Sequence, residues 1–180
     1  VRGYWGSPQL PNLMKPHLLS ALALALVTTV SVRADYSFKE SFDKTGSFNP
    51  TGTVVLENVN GSVEIRGSDK NEISISGEKS AATEEELKAI DLTVDLSADR
   101  AVVRVKLPKR EHHWWWSGDQ IRASVSFVVT VPSGARLEDI KTVNGKVDIA
   151  GTRGSVSANT VNGSVKVSDV GGRVHLQTVN

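Results

Sequence analysis

The chain has 180 residues, with 21 lysines and arginines against 20 aspartates and glutamates, a formal net charge of +1 at pH 7 and no cysteine. A charge balance this even, with no basic stripe in the sequence, argues against a nucleic-acid partner. The lack of cysteine excludes disulfide bonds as a source of stability, so a stable fold has to come from packing and backbone pairing.

The N-terminal residues predict a secretion signal. Met14 and Lys15 precede a largely apolar run from Leu18 to Val30, and Ala34 offers a cleavage point. The run is shorter than the roughly 20 apolar residues that span a bilayer. We therefore expect three parts, namely upstream translation at 1–13, a signal peptide at 14–34 and one exported domain, in the periplasm or at the cell surface, at 35–180.

The first strand signals are two short units that share one pattern. TGTVVLENV contains Gly52, Val54 and Leu56, and NGSVEIRGS contains the same Gly-x-Val-x-apolar spacing from Gly61. This spacing predicts a short strand with alternate side chains on one face, entered through a residue that is free to take positive φ.

Residues 69–132 predict longer elements. ISISG, from Ile73, alternates as a strand, and TEEELKAI carries a capping pair, Thr83 with Glu86, which predicts one short helix ending near Ile90. Two alternating runs on either side of residues 98–100 predict a hairpin. A further strand is expected to place one face inward, formed by Ile121, Ala123, Val125, Phe127, Val129 and Val131.

The segment KREHHWWWSGDQ is unusual because it combines an aromatic cluster with polar residues between two strands. Tryptophan faces stack on sugars or lie at interfaces, so the segment is a candidate contact patch; alternatively it folds back and covers an open end of the domain. Adjacent histidines in an extended segment point to opposite faces, so His112 and His113 do not predict a metal site. The candidate patch consists of Trp114, Trp115, Trp116, Lys109 and Arg110.

From Thr142 onward the tripeptide Thr-Val-Asn recurs at steps of 18 residues, and each step divides into two nine-residue strand units. Stacking of like residues favours a single-stranded β-helix with rungs of about 18 residues, plus one short helix and a few longer strands. An antiparallel β meander or sandwich, with Asn-Gly at hairpin turns, is the alternative. Either way a structural turn ladder is predicted at Asn60, Gly61, Asn144, Gly145, Asn162 and Gly163.

The segment VTVPSGARLEDIKTVNGKVDIAG, followed by GSVSANTVNGSVKV, resembles the bacterial putative-adhesin family, whose domains have no known function and are related to auto-transporter-adhesin head domains. The resemblance extends from about Gly52 to Asn180 and implies an exported β-helix without an established activity. The aromatic segment departs from the family pattern. Because the repeat stops where the next glycine is due, we also expect a truncated stack whose exposed last rung pairs end to end with another chain.

The outward positions of the repeats mix both charges without paired carboxylates, and no nucleophile elbow or phosphate loop is present in the sequence. Asp148 and Lys166 occupy equivalent positions and are expected to form a weak ion pair. We therefore predict no catalytic residues, metal or cofactor. The expected function is an exported adhesin or interaction module that meets a surface glycan or envelope protein; a periplasmic structural spacer is the alternative, and a polysaccharide-active enzyme is the third reading.

Overall fold

The computed structural model describes Gly3, residues 37–107 and residues 122–179. The predicted signal peptide, the aromatic segment and Asn180 lie outside these ranges.

The described residues form ten strands and one short helix. In chain order these are β1 (Phe38–Ser47), β2 (Thr53–Glu57), β3 (Val63–Ser68), β4 (Glu72–Ala81), α1 (Glu84–Lys88), β5 (Asp91–Leu96), β6 (Arg100–Lys106), β7 (Ala123–Pro132), β8 (Arg136–Ala150), β9 (Val156–Ser168) and β10 (Val174–Thr178).

All ten strands belong to one mixed sheet with the order β1-β4-β7-β3-β8-β2-β6-β5, while β9 lies beside β8 and β10 beside β9. The 15-residue β8 joins two halves of this sheet, because its first part pairs with β2 and its second part with β3. The two ends of the strand order approach each other: Lys44 Nζ in β1 donates to the carbonyl of Val94 in β5 at 2.6 Å. The sheet is therefore nearly closed.

The predicted β-helix is wrong. Three strand pairings, β1–β4, β4–β7 and β5–β6, are antiparallel, and β7 lies between β4 and β3 in the same sheet. The physical reason is that residues 69–132 contribute strands that lie inside the sheet, and their antiparallel pairing is incompatible with a stack of parallel rungs. Antiparallel pairing, the basis of the alternative, is thus present, but the Asn-Gly pairs at 144 and 162 lie inside β8 and β9 rather than at hairpin turns.

Locally, the 18-residue repeat appears in the register of neighbouring strands, because residues 18 apart in the sequence pair with each other. β8 and β9 pair in parallel with Thr142 opposite Thr160, and β9 and β10 pair with Val156 opposite Val174. Identical side chains therefore stack across neighbouring strands at the spacing of a parallel sheet.

The core lies between the two halves of the sheet. The predicted inward face of β7 is confirmed from Ala123 to Val131, and Phe127 is only 1% exposed. Leu56, Ile65 and Ile149 on the neighbouring strands are fully buried. Each such side chain contributes about 1.5–3 kcal/mol relative to exposure, which replaces the disulfides that the chain lacks.

The predicted helix is confirmed and is one turn long. Thr83 has extended backbone angles, and its hydroxyl accepts a hydrogen bond from the Glu86 amide at 3.1 Å. Leu87 is buried against the core, so packing stabilises a helix that is too short to persist alone.

Gly77 lets two aromatic rings meet inside the sheet. It lies opposite Phe42 of β1 and Phe127 of β7, and the two ring centroids are 5.5 Å apart at an interplanar angle of 64°. A Cβ at Gly77 would come within 2.7 Å of Phe42 Cζ, so the ring covers the space that a side chain would otherwise fill.

Candidate functional site

The repeated Thr-Val-Asn tripeptide builds one continuous surface where β8 and β9 run from one half of the sheet to the other. Thr142 and Thr160 are buried, whereas Thr178 in β10 is exposed. Because side chains alternate along a strand, the valine that follows each threonine faces solvent. We call Val59, Val143, Val161 and Val179 the valine row; the last three are 38%, 40% and 51% exposed.

Beside this row the asparagine side chains hydrogen-bond to one another. Asn144 Nδ2 donates to Asn60 Oδ1 at 2.8 Å, and Asn162 Nδ2 donates to Asn144 Oδ1 at 3.0 Å. Asn60 Nδ2 in turn donates to the Ala123 carbonyl at 3.0 Å. The structure thus brings together the three predicted asparagines, which we call the asparagine ladder.

The glycine after each asparagine allows neighbouring backbones to approach closely. A Cβ at Gly145 would collide with the Gly61 carbonyl, and a Cβ at Gly163 would collide with the Gly145 carbonyl. Gly61 also has a φ of 115°, a region that L side chains rarely adopt. Glycine is therefore required at these positions mainly for close approach between strands.

A groove of about 420 Å³ runs along the valine row. Val59, Val143 and Val161 supply apolar surface to this valine groove, and Glu57, Lys141 and Asn159 supply polar groups. Its composition suits an apolar contact with a few directed hydrogen bonds.

A β-bulge in β8 places charge next to the groove. Asp139 has a φ of 64°, and the register against β2 shifts at this point. Lys141 Nζ lies 2.7 Å from Asp139 Oδ1, and this hydrogen bond raises the pKa of Lys141. The sequence does not predict this bulge, because aspartate in an alternating run carries no clear bulge signal.

A second groove, of about 440 Å³, lies over β3, β4, β7 and β8 and contains several carboxylates. Arg66 lies 3.0 Å from both Asp148 and Glu64, and Lys146 lies 3.4 Å from Asp148. The hydrogen bond from Arg66, followed by that from Lys146, lowers the pKa of Asp148.

The partners of Asp148 differ from the expected one. Lys166 is its register neighbour in β9, yet the ion pairs observed for Asp148 join it to Arg66 and Lys146. Glu78, across the same groove, is paired with Lys39 at 2.9 Å, and its pKa is also lowered. Both carboxylates are thus held ionised, which does not suit the protonated acid that glycoside hydrolysis requires.

Within residues 37–107 and 122–179, His, Asp and Glu side chains form no group of three able to hold a metal ion. Over the same residues, the structure has no helix of the length and apolar character needed to cross a membrane. The predicted contact patch, Trp114, Trp115, Trp116, Lys109 and Arg110, lies outside the described residues, as do His112 and His113. His175 lies exposed on β10.

Comparison with known proteins gives no family model and no curated protein that matches the chain. Solved structures give weak similarities. One is a putative cell adhesion protein from Clostridium sporogenes, at 9% identity and a TM-score of 0.36, covering 77% of this chain and all of the other. Another is a putative lipid binding protein from Parabacteroides distasonis, at 13% identity and a TM-score of 0.36, covering 77% of this chain and 59% of that one. A putative adhesin from Parabacteroides merdae is 8% identical with a TM-score of 0.28, covering 78% and 97% of the two chains.

Proposed function

We propose that residues 35–180 act as a non-catalytic scaffold of the bacterial cell envelope, in which stacked strands hold surfaces in fixed positions. The observation that carries this proposal is the asparagine ladder. Its amides donate to one another and to the Ala123 carbonyl, so these polar groups serve the structure itself rather than a substrate. Polar groups that hydrogen-bond to one another in this way stabilise one arrangement of the chain.

The electrostatics of the second groove support a non-catalytic role. Arg66 and Lys146 hold Asp148, and Lys39 holds Glu78. A general acid has to keep its proton near neutral pH, whereas these ion pairs favour the charged form. A uronic-acid polymer that yielded unsaturated products in the presence of the purified chain would contradict this part of the proposal.

The envelope location rests on the predicted signal peptide at residues 14–34. Expression of the chain in a bacterium with fractionation of periplasm, membrane and cytoplasm tests it. We expect a product shortened after Ala34 outside the cytoplasm; an uncleaved cytoplasmic product would contradict the location.

A second candidate function is an interaction module, and the exposure of the valine row favours it. Three valines between 38% and 51% exposed, in line beside a groove of about 420 Å³, offer an apolar surface of the kind that contacts partners. A surface glycan or an envelope protein is the partner we propose for this function.

Binding to isolated envelope fractions and to a glycan panel separates the two functions. The double variant Val143→Asp/Val161→Asp places charges in the valine groove, and Val128→Asp is a matched control, since Val128 is 48% exposed on β7. An interaction module predicts binding that only the double variant loses. If the protein is a scaffold that binds no partner in the valine groove, then wild type, the double variant and Val128→Asp should all bind equally.

The triple variant Trp114/Trp115/Trp116→Ala tests the predicted contact patch in the same assay. If this variant loses binding and the groove variant does not, the contact lies in the aromatic segment. Unchanged binding would exclude the patch.

A further inference from the structure

The two ends of the strand order, β1 and β5, face each other across a seam in the sheet. Backbone closes one end of this seam, where the Asn49 amide donates to the Ala98 carbonyl at 2.7 Å. Along the two strands themselves, the described part of the chain has no backbone pairing, and Lys44 Nζ reaches across to the Val94 carbonyl at 2.6 Å. A side chain thus makes the contact that a neighbouring strand would otherwise make.

Lys44 lies on the inner face of β1. Side chains alternate along a strand, so Lys44 shares its face with Phe42, which packs against the core. Lys44 is nevertheless exposed, and a groove of about 390 Å³ lies between it and Val94. Charged side chains that point inward from edge strands prevent edge-to-edge pairing in natural sheets. The position of Lys44 is typical of this role.

The backbone groups of β5 alternate in direction along the strand. The Ser97 amide donates to a carbonyl at the start of β6. Leu92, Val94 and Leu96 alternate with Ser97, so their amides and carbonyls point toward the seam. Within the described residues, the hydrogen bond observed for these groups is the one that Val94 accepts from Lys44. The β5 edge therefore has donors and acceptors that a further strand could pair with.

This edge is complementary to itself. If two copies of β5 pair antiparallel about Val94, each Val94 amide donates to the Val94 carbonyl of the other copy, and Leu92 lies opposite Leu96. Thr93 then lies opposite Asp95, so like charges do not face each other at these positions. Such a pairing relates the two copies by a two-fold axis, which is the commonest symmetry of soluble oligomers.

We propose that Lys44 guards the seam against a second copy of this chain, by holding the Val94 carbonyl through which two β5 strands would pair. The amine occupies the central acceptor of the self-complementary edge. Its positive charge would also lose water if another strand entered beside it, which costs free energy. Without Lys44, β5 separates from β1 and pairs with the β5 of a second copy. This inference is independent of the proposed scaffold function.

Sedimentation velocity over a range of protein concentrations tests the guard with Lys44→Thr, which removes the charge and keeps strand propensity. Lys39→Thr is the matched control, since Lys39 is also an exposed lysine of β1 and pairs with Glu78 in β4. Lys44→Arg retains a positively charged donor. We expect Lys44→Thr to dimerise at concentrations at which wild type, Lys39→Thr and Lys44→Arg do not differ from one another.

Amide hydrogen exchange measured by NMR locates the contact. The amides of Leu92, Val94 and Leu96 should exchange at least about tenfold more slowly in the Lys44→Thr dimer than in wild type, whereas amides of β10 should be unchanged. If Lys44→Thr does not fold, Lys44→Gln replaces it in both measurements, because glutamine is likewise uncharged.

Three results would overturn the proposal. The first is a folded, uncharged variant that matches wild type in association at every concentration. The second is a dimer in which exchange along β5 is unchanged, which would place the contact elsewhere. The third is slower exchange along β5 in a variant that stays monomeric, because β1 would then have closed on β5 within one chain.

Discussion

The glycines of this chain differ in the space available for the methyl group that an alanine substitution would add. A Cβ at Gly163 would collide with the Gly145 carbonyl oxygen and come within 2.9 Å of Thr160 Oγ1, whereas the nearest atom to a Cβ at Gly171 is 3.4 Å away. The repeat predicted Gly163 as a turn residue and made no separate prediction for Gly171. It gave no means of ranking them, because close approach is a property of the neighbouring strand.

Gly163→Ala is therefore expected to lower the free energy of unfolding by roughly 1–3 kcal/mol, since backbone has to move to admit the methyl group. Gly171→Ala is the matched control and should change stability by less than about 0.5 kcal/mol. Urea denaturation of both variants measures the difference. Equal stability of the two would show that β8 and β9 are not held in close contact.

The effect of substitutions at Asp139 depends on backbone conformation rather than on the space around the side chain. Its φ of 64° is unfavourable for alanine and readily adopted by glycine, aspartate and asparagine. We expect Asp139→Ala to be less stable than Asp139→Gly by about 1 kcal/mol. Asp139→Asn, which removes the ionic contact with Lys141 and keeps the tolerance of positive φ, should remain close to wild type. The denaturation midpoints of the three variants measure these differences in stability. An alanine variant as stable as the glycine variant would contradict a bulge at this residue.

At the scale of elements, local signals in the sequence were sufficient for several of them. The capping pair predicted α1, and Thr83 is its N-cap. The alternating runs around residues 98–100 predicted the antiparallel pair β5–β6, and alternation predicted the inward face of β7. Prediction failed at the Asn-Gly pairs, which we expected to end strands but which β8 and β9 pass through. A glycine needed for close approach and a glycine needed for a turn look the same in a sequence.

The cross-strand ion pair between β3 and β8 makes stability depend on pH. Arg66 and Lys146 lower the pKa of Asp148 in the fold. This stabilisation is complete above the ordinary pKa of an aspartate and is lost as the pH falls through the lower pKa of the folded protein.

We expect Asp148→Asn to lose more stability at neutral pH than in acid, so the variant and wild type converge as the pH is lowered. Unfolding curves over an acid series measure this. Asp69→Asn is the control, since Asp69 is exposed and has no ion pair observed in the described part of the chain. A constant difference between Asp148→Asn and wild type at all pH values would exclude the effect.

At the scale of the whole molecule, the strand order could not be read from the sequence. The repeat indicated that like residues stack, which is correct for β8, β9 and β10. It carried no information that β7 would lie between β4 and β3, or that β8 would pair with both β2 and β3. Pairings between strands so distant in the chain depend on the complete core. Of the candidate site, the asparagines were named in advance, whereas the valine groove and the bulge at Asp139 emerge only from packing.

The strand order also predicts where the molecule opens first. β8 has strands on both sides along much of its length. In the described part of the chain β10 pairs with β9 alone, and it exposes Val174 and Leu176 by 42% and 43%. Amide hydrogen exchange in β10 should be at least about 100-fold faster than in β8. Mass spectrometry of exchanged peptides checks this, with the two-sided strand β7 as a protected reference. Uniform protection across β7, β8 and β10 would contradict the prediction.

The position of β8 has a consequence for how the chain reaches its folded state. Arg66 in β3 and its partner Asp148 in β8 are 82 residues apart in sequence, and β2 likewise pairs in parallel with both β6 and β8. Contacts between such distant segments close large loops before any stabilisation is gained, and such topologies fold slowly. Until β8 has been synthesised, β2 and β3 each lack one of their neighbours and the two halves of the sheet are not joined. A chain of this topology therefore completes its fold late, after almost all of its strands have been made.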